Sequence, residues 1–161
     1  MNILEELGKR IIFFDGGMGT LLQEKGLSPG ELPEVWNITH PEIIEKIHSD
    51  YRTAGADIIK TNTFGANRIK LSSSGFTPDK LISAAVKIAK KAADGALVAM
   101  DIGPTGKLLK PLGDLEFEDA VSVFKEAAIA GEKAGADLIL IETMSDTYEC
   151  KASVLAAKES T

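Results

Sequence analysis

One cysteine in 161 residues, Cys150, excludes an internal disulfide and cannot by itself make a thiolate metal site. Basic charge is also in short supply. Eighteen Lys and Arg stand against 24 Asp and Glu, a net charge of −6, and the basic residues are scattered or paired, as in Lys9-Arg10 and Lys90-Lys91. Such a surface repels a phosphate backbone, which argues against nucleic acid as a partner. No apolar run approaches the roughly 18 to 20 residues of a membrane helix, and Glu5 and Glu6 stand where a secretory leader carries positive charge. The expected compartment is the cytoplasm, with no membrane partner. Linkers, low-complexity tracts and composition breaks are lacking too, so residues 1–161 read as one unit without a second domain. What remains, 44% hydrophobic and 26% charged, is the composition of a globular protein.

The chain repeats itself. Ala54-Gly55-Ala56-Asp57-Ile58-Ile59-Lys60-Thr61-Asn62-Thr63 returns 80 residues later as Ala134-Gly135-Ala136-Asp137-Leu138-Ile139-Leu140-Ile141-Glu142-Thr143. Each copy reads as helix exit, turn, apolar strand and polar tip. Ile11 to Phe14 and Leu97 to Met100 are two further short apolar runs, each ending at an aspartate, as strands buried on both faces do. Helical spacing fills the intervals: Ile44, Ile47, Tyr51 and Ala54; Leu81, Ile82, Ala85, Ile88, Ala89 and Ala92; Phe117, Ala120, Val121, Phe124, Ala127 and Gly131. A last helix is predicted from about Thr147 to Lys158. Thr39-His40-Pro41-Glu42 reads as a capping box, and Gly95 as a helix stop. Strand alternating with helix predicts an α/β fold of parallel strands joined by right-handed crossovers. Strand starts about 40 residues apart suit either a doubly wound sheet or part of a (βα)8 barrel, of which four βα units are half.

In both architectures function gathers at the carboxyl ends of the strands. Asp15, Asn62, Asp101 and Glu142 all fall there. Asp15-Gly16-Gly17-Met18-Gly19-Thr20 is either a tight turn needing positive φ or a backbone cradle for an anion. Asp101 suits a ligand contact or an Asx turn equally well. Glu142, directly after four apolar strand residues, needs a cationic partner, and an ammonium on a ligand is one. With every carboxylate ionised the cluster attracts a cation, while turn amides suit a carboxylate. The two groups on one small molecule define an amino acid. His40 and His48 fall on the second helix or its cap, away from strand ends. Cys150, Trp36 and Tyr51 read as packing residues. Lys60 shares the parity of Asn62, one layer deeper, with a partner the sequence does not name.

Five motifs in order, Asp15 to Thr20, Thr61 to Asn67, Asp101 to Gly106, Pro111-Leu112-Gly113 and Ile141-Glu142-Thr143, resemble the homocysteine S-methyltransferase family, most nearly its cobalamin-dependent branch. The resemblance spans essentially the whole chain. It implies that the four βα units form the first half of a (βα)8 TIM barrel whose strand ends bind homocysteine. It further implies that Asp15 and Glu142 hold the amino end, that the turn of Gly17, Met18, Gly19 and Thr20 receives the carboxylate, and that Asn62 and Asp101 line the pocket. In the family, zinc on three cysteine thiolates activates the homocysteine sulfur, which takes a methyl group from methylcobalamin recharged by folate-using modules. Those cysteines belong to later strands, and Cys150 matches none. No catalytic or metal-ligating residue is therefore expected here. The chain alone is expected to be incompetent in methyl transfer, and to associate with a second half or with itself. Two other readings stay open: a non-catalytic amino-acid-binding or barrel-completing subunit, and an aldolase-like barrel using the glycine turn for phosphate.

Overall fold

The computed structural model describes residues 3–160. In chain order its elements are α1 (Ile3–Glu6), α2 (Gly19–Glu24), α3 (Trp36–Thr39), α4 (Pro41–Thr53), β1 (Ile58–Lys60), α5 (Pro78–Ala92), β2 (Leu97–Ile102), α6 (Phe117–Ala134), β3 (Leu138–Ile141) and α7 (Thr147–Ser160). Short 3-10 turns occupy Pro33–Val35 and Lys70–Ser73. The strands form one parallel sheet in the order β1-β2-β3, with Lys60 opposite Ala99 and Asp101 opposite Leu140.

The central strand is the most buried, with Val98 to Ile102 all enclosed. Met100 and Ile102 pack with Phe124 and Ala127 of α6, Ala152 and Ala156 of α7, and Ile82 and Val86 of α5. Alanine on the inner helix faces lets these helices lie close to the sheet. Gly131 is the extreme case, because a Cβ there would sit 2.8 Å from Met100 Cγ.

The repeated segment folds the same way twice. Gly55 and Gly135 take φ of 105° and 93°, the left-handed region that glycine enters without steric cost. Ala56 N–H then donates to Tyr51 C=O, and Ala136 N–H to Gly131 C=O, each at 3.1 Å. The aspartates that follow also match. Asp57 Oδ2 accepts the Phe13 N–H at 3.0 Å, Asp137 Oδ2 accepts the Val98 N–H at 2.7 Å, and each carboxylate is ion-paired, to Arg10 and Lys90 respectively.

Three of the four expected strands form, and the run from Ile11 to Phe14 contributes only a parallel bridge, Phe14 to Ile58. After the Asp15 N–H to Ile58 C=O bond the ladder stops, because the Lys60 N–H donates to the Asp15 side chain, Oδ2 at 3.0 Å, instead of to a backbone carbonyl. Ile11 and Phe13 remain 73% and 58% exposed. On the opposite edge all four β3 residues are only half-buried. The capping box does not form: Thr39 belongs to α3, its hydroxyl donates to Val35 C=O at 3.3 Å, and α4 opens at Pro41 without a side-chain cap. Gly95 falls where expected, three residues beyond α5 with φ of 82°.

Candidate functional site

β1, β2 and β3 end side by side, and the turn after Phe14 lies against β1 through the Asp15 N–H to Ile58 C=O bond of 3.0 Å. Their carboxyl ends open into a cavity of about 430 Å³. Asp15, Gly17, Met18, Gly19, Asn62, Asp101 and Glu142, all anticipated, line it. Thr20 does not. It is exposed on the first turn of α2, with its hydroxyl 3.7 Å from where a Cβ on Gly17 would lie.

The glycine turn is not a positive-φ turn, for Gly16, Gly17 and Gly19 all have ordinary backbone angles. Close approach is what demands glycine. A Cβ on Gly16 would lie 2.7 Å from Tyr51 Oη, whose hydroxyl donates to Gly17 C=O at 2.9 Å. The first intrahelical bond of α2 runs from Leu22 N–H to Met18 C=O, which leaves the preceding turn amides available.

Lys60 finds its partner here. Its ammonium meets Glu142 Oε2 at 3.2 Å, while its backbone N–H donates to Asp15 Oδ2 at 3.0 Å. The cation that Glu142 requires is thus supplied by the chain, and with Lys60 and Lys70 both in the wall the pocket is less negative than its four carboxylates, Asp15, Glu34, Asp101 and Glu142, alone imply. Burial pulls the Lys60 ammonium down, but attraction to Glu142, Asp15 and Asp101 outweighs it and leaves its pKa above the ordinary value. Burial pushes Asp15 up to about 6 despite the Lys60 amide and charge. Asp101, 5% exposed, is pushed up to about 7 by burial first and then by the negative charge of Glu142. Asp15 Oδ1 and Asp101 Oδ1 are buried without a hydrogen-bond partner in the protein, an arrangement that calls for a donor from a ligand or water.

Asn62 is committed to the scaffold. Its amide donates to Pro33 C=O at 2.8 Å and to Asn37 Oδ1 at 3.2 Å, and Asn37 Nδ2 returns a bond to Asn62 C=O at 2.8 Å. This reciprocal pair fastens the segment that roofs the cavity. The Thr61 and Thr63 hydroxyls bond each other at 2.6 Å, and Thr63 Oγ1 donates to Asp101 C=O, fixing the neighbouring strand end.

Three residues at the site escaped the sequence reading. Glu34, 3% exposed, accepts the Gly65 N–H through Oε1 at 2.6 Å and leaves Oε2 unpartnered at the cavity wall. Asn37 completes the pair above. Glu149 of α7 accepts both the N–H and the hydroxyl of Thr105, pinning the loop beyond Asp101. Gly65 was the available signal for Glu34, since a Cβ there would lie 2.8 Å from Glu34 Oε1. His40, by contrast, stacks on Trp36, and His48 is fully buried in α4; neither lines the cavity.

The residues present do not fit a resident zinc. Among the described residues no group of three His, Cys, Asp or Glu is placed to hold a metal, and Cys150, on α7, is not part of the cavity wall. The cavity is also far too small to enclose a corrin macrocycle. What the arrangement offers is a receptor for a small cationic group beside free backbone amides.

Parallel strands whose polar tips converge on one small cavity define an α/β protein with its cavity at the strand ends, where this fold class places its sites. A family model described as homocysteine S-methyltransferase matches residues 12–161. The chain belongs to that family. It is 34% identical to methionine synthase of Mycobacterium leprae (strain TN) over 98% of its own length, spanning 14% of that relative. It superposes on two crystal structures of the homocysteine methyltransferase MmuM from Escherichia coli. The oxidized form gives a TM-score of 0.83 at 24% identity, and the metallated form 0.80 at 25%. Nearly all of this chain is covered in both cases, against 62% of either MmuM chain. Among the described residues, no helix is long and apolar enough to cross a membrane.

Proposed function

We propose that this chain is the homocysteine-gripping part of a zinc-dependent homocysteine S-methyltransferase of the methionine synthase type, active in the cytoplasm. In this reading its residues form a single unit, the first four βα units of a (βα)8 barrel. Asp15 and Glu142 hold the amino group, the amides from Gly17 to Thr20 receive the carboxylate, Asp101 lines the pocket, and Asn62 holds its roof. The observation that carries the reading is the convergence of Asp15, Asp101 and Glu142 on one amino-acid-sized cavity beside the glycine turn.

Zinc, where it is bound in a complete enzyme of this type, supplies a thiolate at neutral pH. Its thiolate ligands are not in this chain, so the chain binds and orients substrate without activating the sulfur. Methyl transfer then requires a second half of the barrel, together with the modules that deliver cobalamin and folate. The exposed Ile11, Phe13 and Phe14 on one edge and the half-buried β3 on the other support a partner there, or self-association in its absence. The lone Cys150 equally favours a second reading, a non-catalytic amino-acid-binding subunit that completes a barrel with another chain.

Calorimetry with L-homocysteine, followed by an assay with zinc and methylcobalamin, tests both readings. Binding without turnover is expected. Turnover restored by adding the remainder of a barrel supports the enzyme reading, and binding that never leads to turnover favours the subunit. Absence of homocysteine binding contradicts both.

A further inference from the structure

The ammonium of Lys60 is chemically the same group as the α-ammonium of an amino acid, and it sits on Glu142 at 3.2 Å. The backbone of Lys60 is fixed between the fully buried Ile59 and the Asp15 carboxylate. Its side chain is only partly enclosed, 20% exposed against 31% for Glu142. The pair is therefore tethered at one end and exchangeable at the other. Asp15 Oδ1 and Asp101 Oδ1 remain without partners, so one lysine does not satisfy the cluster.

We propose that Lys60 is a specificity-determining residue, an internal counter-ion that a ligand's ammonium must displace from Glu142 and that then pairs, beside the glycine-turn amides, with the carboxylate of the same ligand. This rests on the reading of the cavity as an amino-acid site. A plain amine gains Glu142 but adds no anion, leaving the displaced Lys60 ammonium only the Asp15, Asp101 and Glu34 carboxylates that already face it in the free protein. A zwitterion supplies both charges at once. Lys60 thus selects α-amino acids against amines, and by occupying the seat in the free protein it lowers the apparent affinity for any cation.

Three ligands separate the possibilities: L-homocysteine, 3-aminopropane-1-thiol, which is homocysteine without its carboxylate, and L-2-aminobutyrate, which lacks only the sulfur. Their affinities are measured by NMR shift titration of the whole chain, wild type against Lys60→Met. The variant is expected to bind the aminothiol about fivefold more tightly. The preference for homocysteine over the aminothiol is expected to shrink by at least the same factor. Lys60→Gln, which keeps a polar tip, carries the same expectation and serves if the methionine variant folds poorly. An unchanged preference, weaker amine binding in the variants, or no binding of any ammonium-bearing ligand overturns the proposal. Homocysteine and 2-aminobutyrate are expected to bind alike, because the groups assigned in this chain grip the ammonium and the carboxylate. Aminothiol binding without binding of either amino acid would contradict the amino-acid reading as well, whereas amino-acid binding with an unchanged preference overturns the role of Lys60 alone.

Discussion

Lys60 and Glu142, 82 residues apart in the chain, meet at 3.2 Å across the ends of β1 and β3. Both side chains are partly exposed, so the pair contributes little to folding, about 1 kcal/mol or less. Its electrostatic reach is greater than its contribution to stability. Glu142 is the largest charge pushing Asp101 upward. Glu142→Gln is accordingly expected to leave the urea midpoint nearly unchanged while lowering the Asp101 pKa, followed by carboxyl carbon NMR. An Asp101 titration identical in the two proteins would contradict this coupling.

Asp101 makes stability depend on pH. Its folded pKa is raised from 3.8 to about 7, so between those values the folded state holds a proton that the unfolded state has lost. This contribution is fully present below about pH 4 and is lost as pH rises through 7, at up to about 1.4 kcal/mol per pH unit. Asp101→Asn removes it. The stability of the variant relative to wild type is expected to rise from pH 4 to 7 and to level off above, as measured by urea unfolding across that range.

His48 acts in the opposite direction. It is fully buried, neither ring nitrogen has a partner, and burial lowers its pKa from 6.5 to about 4. The unfolded state takes up a proton as pH falls below 6.5, and the folded state does not follow until about pH 4. Stability from this residue is therefore lost on acidification across that window. His48→Leu is expected to stabilise the protein, by about 1 kcal/mol at neutral pH from the removal of unpaired polar atoms and by more at pH 5. A gain no larger at pH 5 than at pH 7 would contradict the assignment.

Gly103 lies beneath the ring of Phe64, where a Cβ would come within 2.4 Å of the ring, while its N–H donates to Phe64 C=O at 3.0 Å. Gly103→Ala is expected to destabilise by about 1 to 3 kcal/mol through overpacking. Phe64 lines the cavity, so ligand affinity falls as well. Thermal unfolding and calorimetry on the same sample check both effects.

Local pattern carried most of the fold. The helices from Pro78 and Phe117 follow apolar stripes at helical spacing, and the Ala-Gly-Ala-Asp repeat marks two helix exits that close identically. It carried less at Ile11 to Phe14, where hydrophobic content indicated a strand but the side chain of Asp15 takes the Lys60 N–H and ends the ladder, a contact no local window contains. At the site, residues at strand tips were legible because strand parity directs them to one end. Glu34, Asn37 and Glu149 were not, because they arrive from a 3-10 turn, from α3 and from the first turn of α7, none of them a strand tip. Asn62 was read as a pocket residue, and its amide proved to be bonded to Pro33 and Asn37. The glycine turn was legible as a close approach, although the group approaching Gly16 is Tyr51.

The central claim is that the strand ends clamp an amino acid by its two charges. Calorimetric titration of L-homocysteine into the wild-type chain and into Asp15→Asn tests it most directly. The predicted result is saturable one-to-one binding that the variant weakens by about tenfold or more, as the loss of a charge-assisted contact implies. An absence of saturable binding to the wild type, or equal affinity in the two proteins, would contradict it.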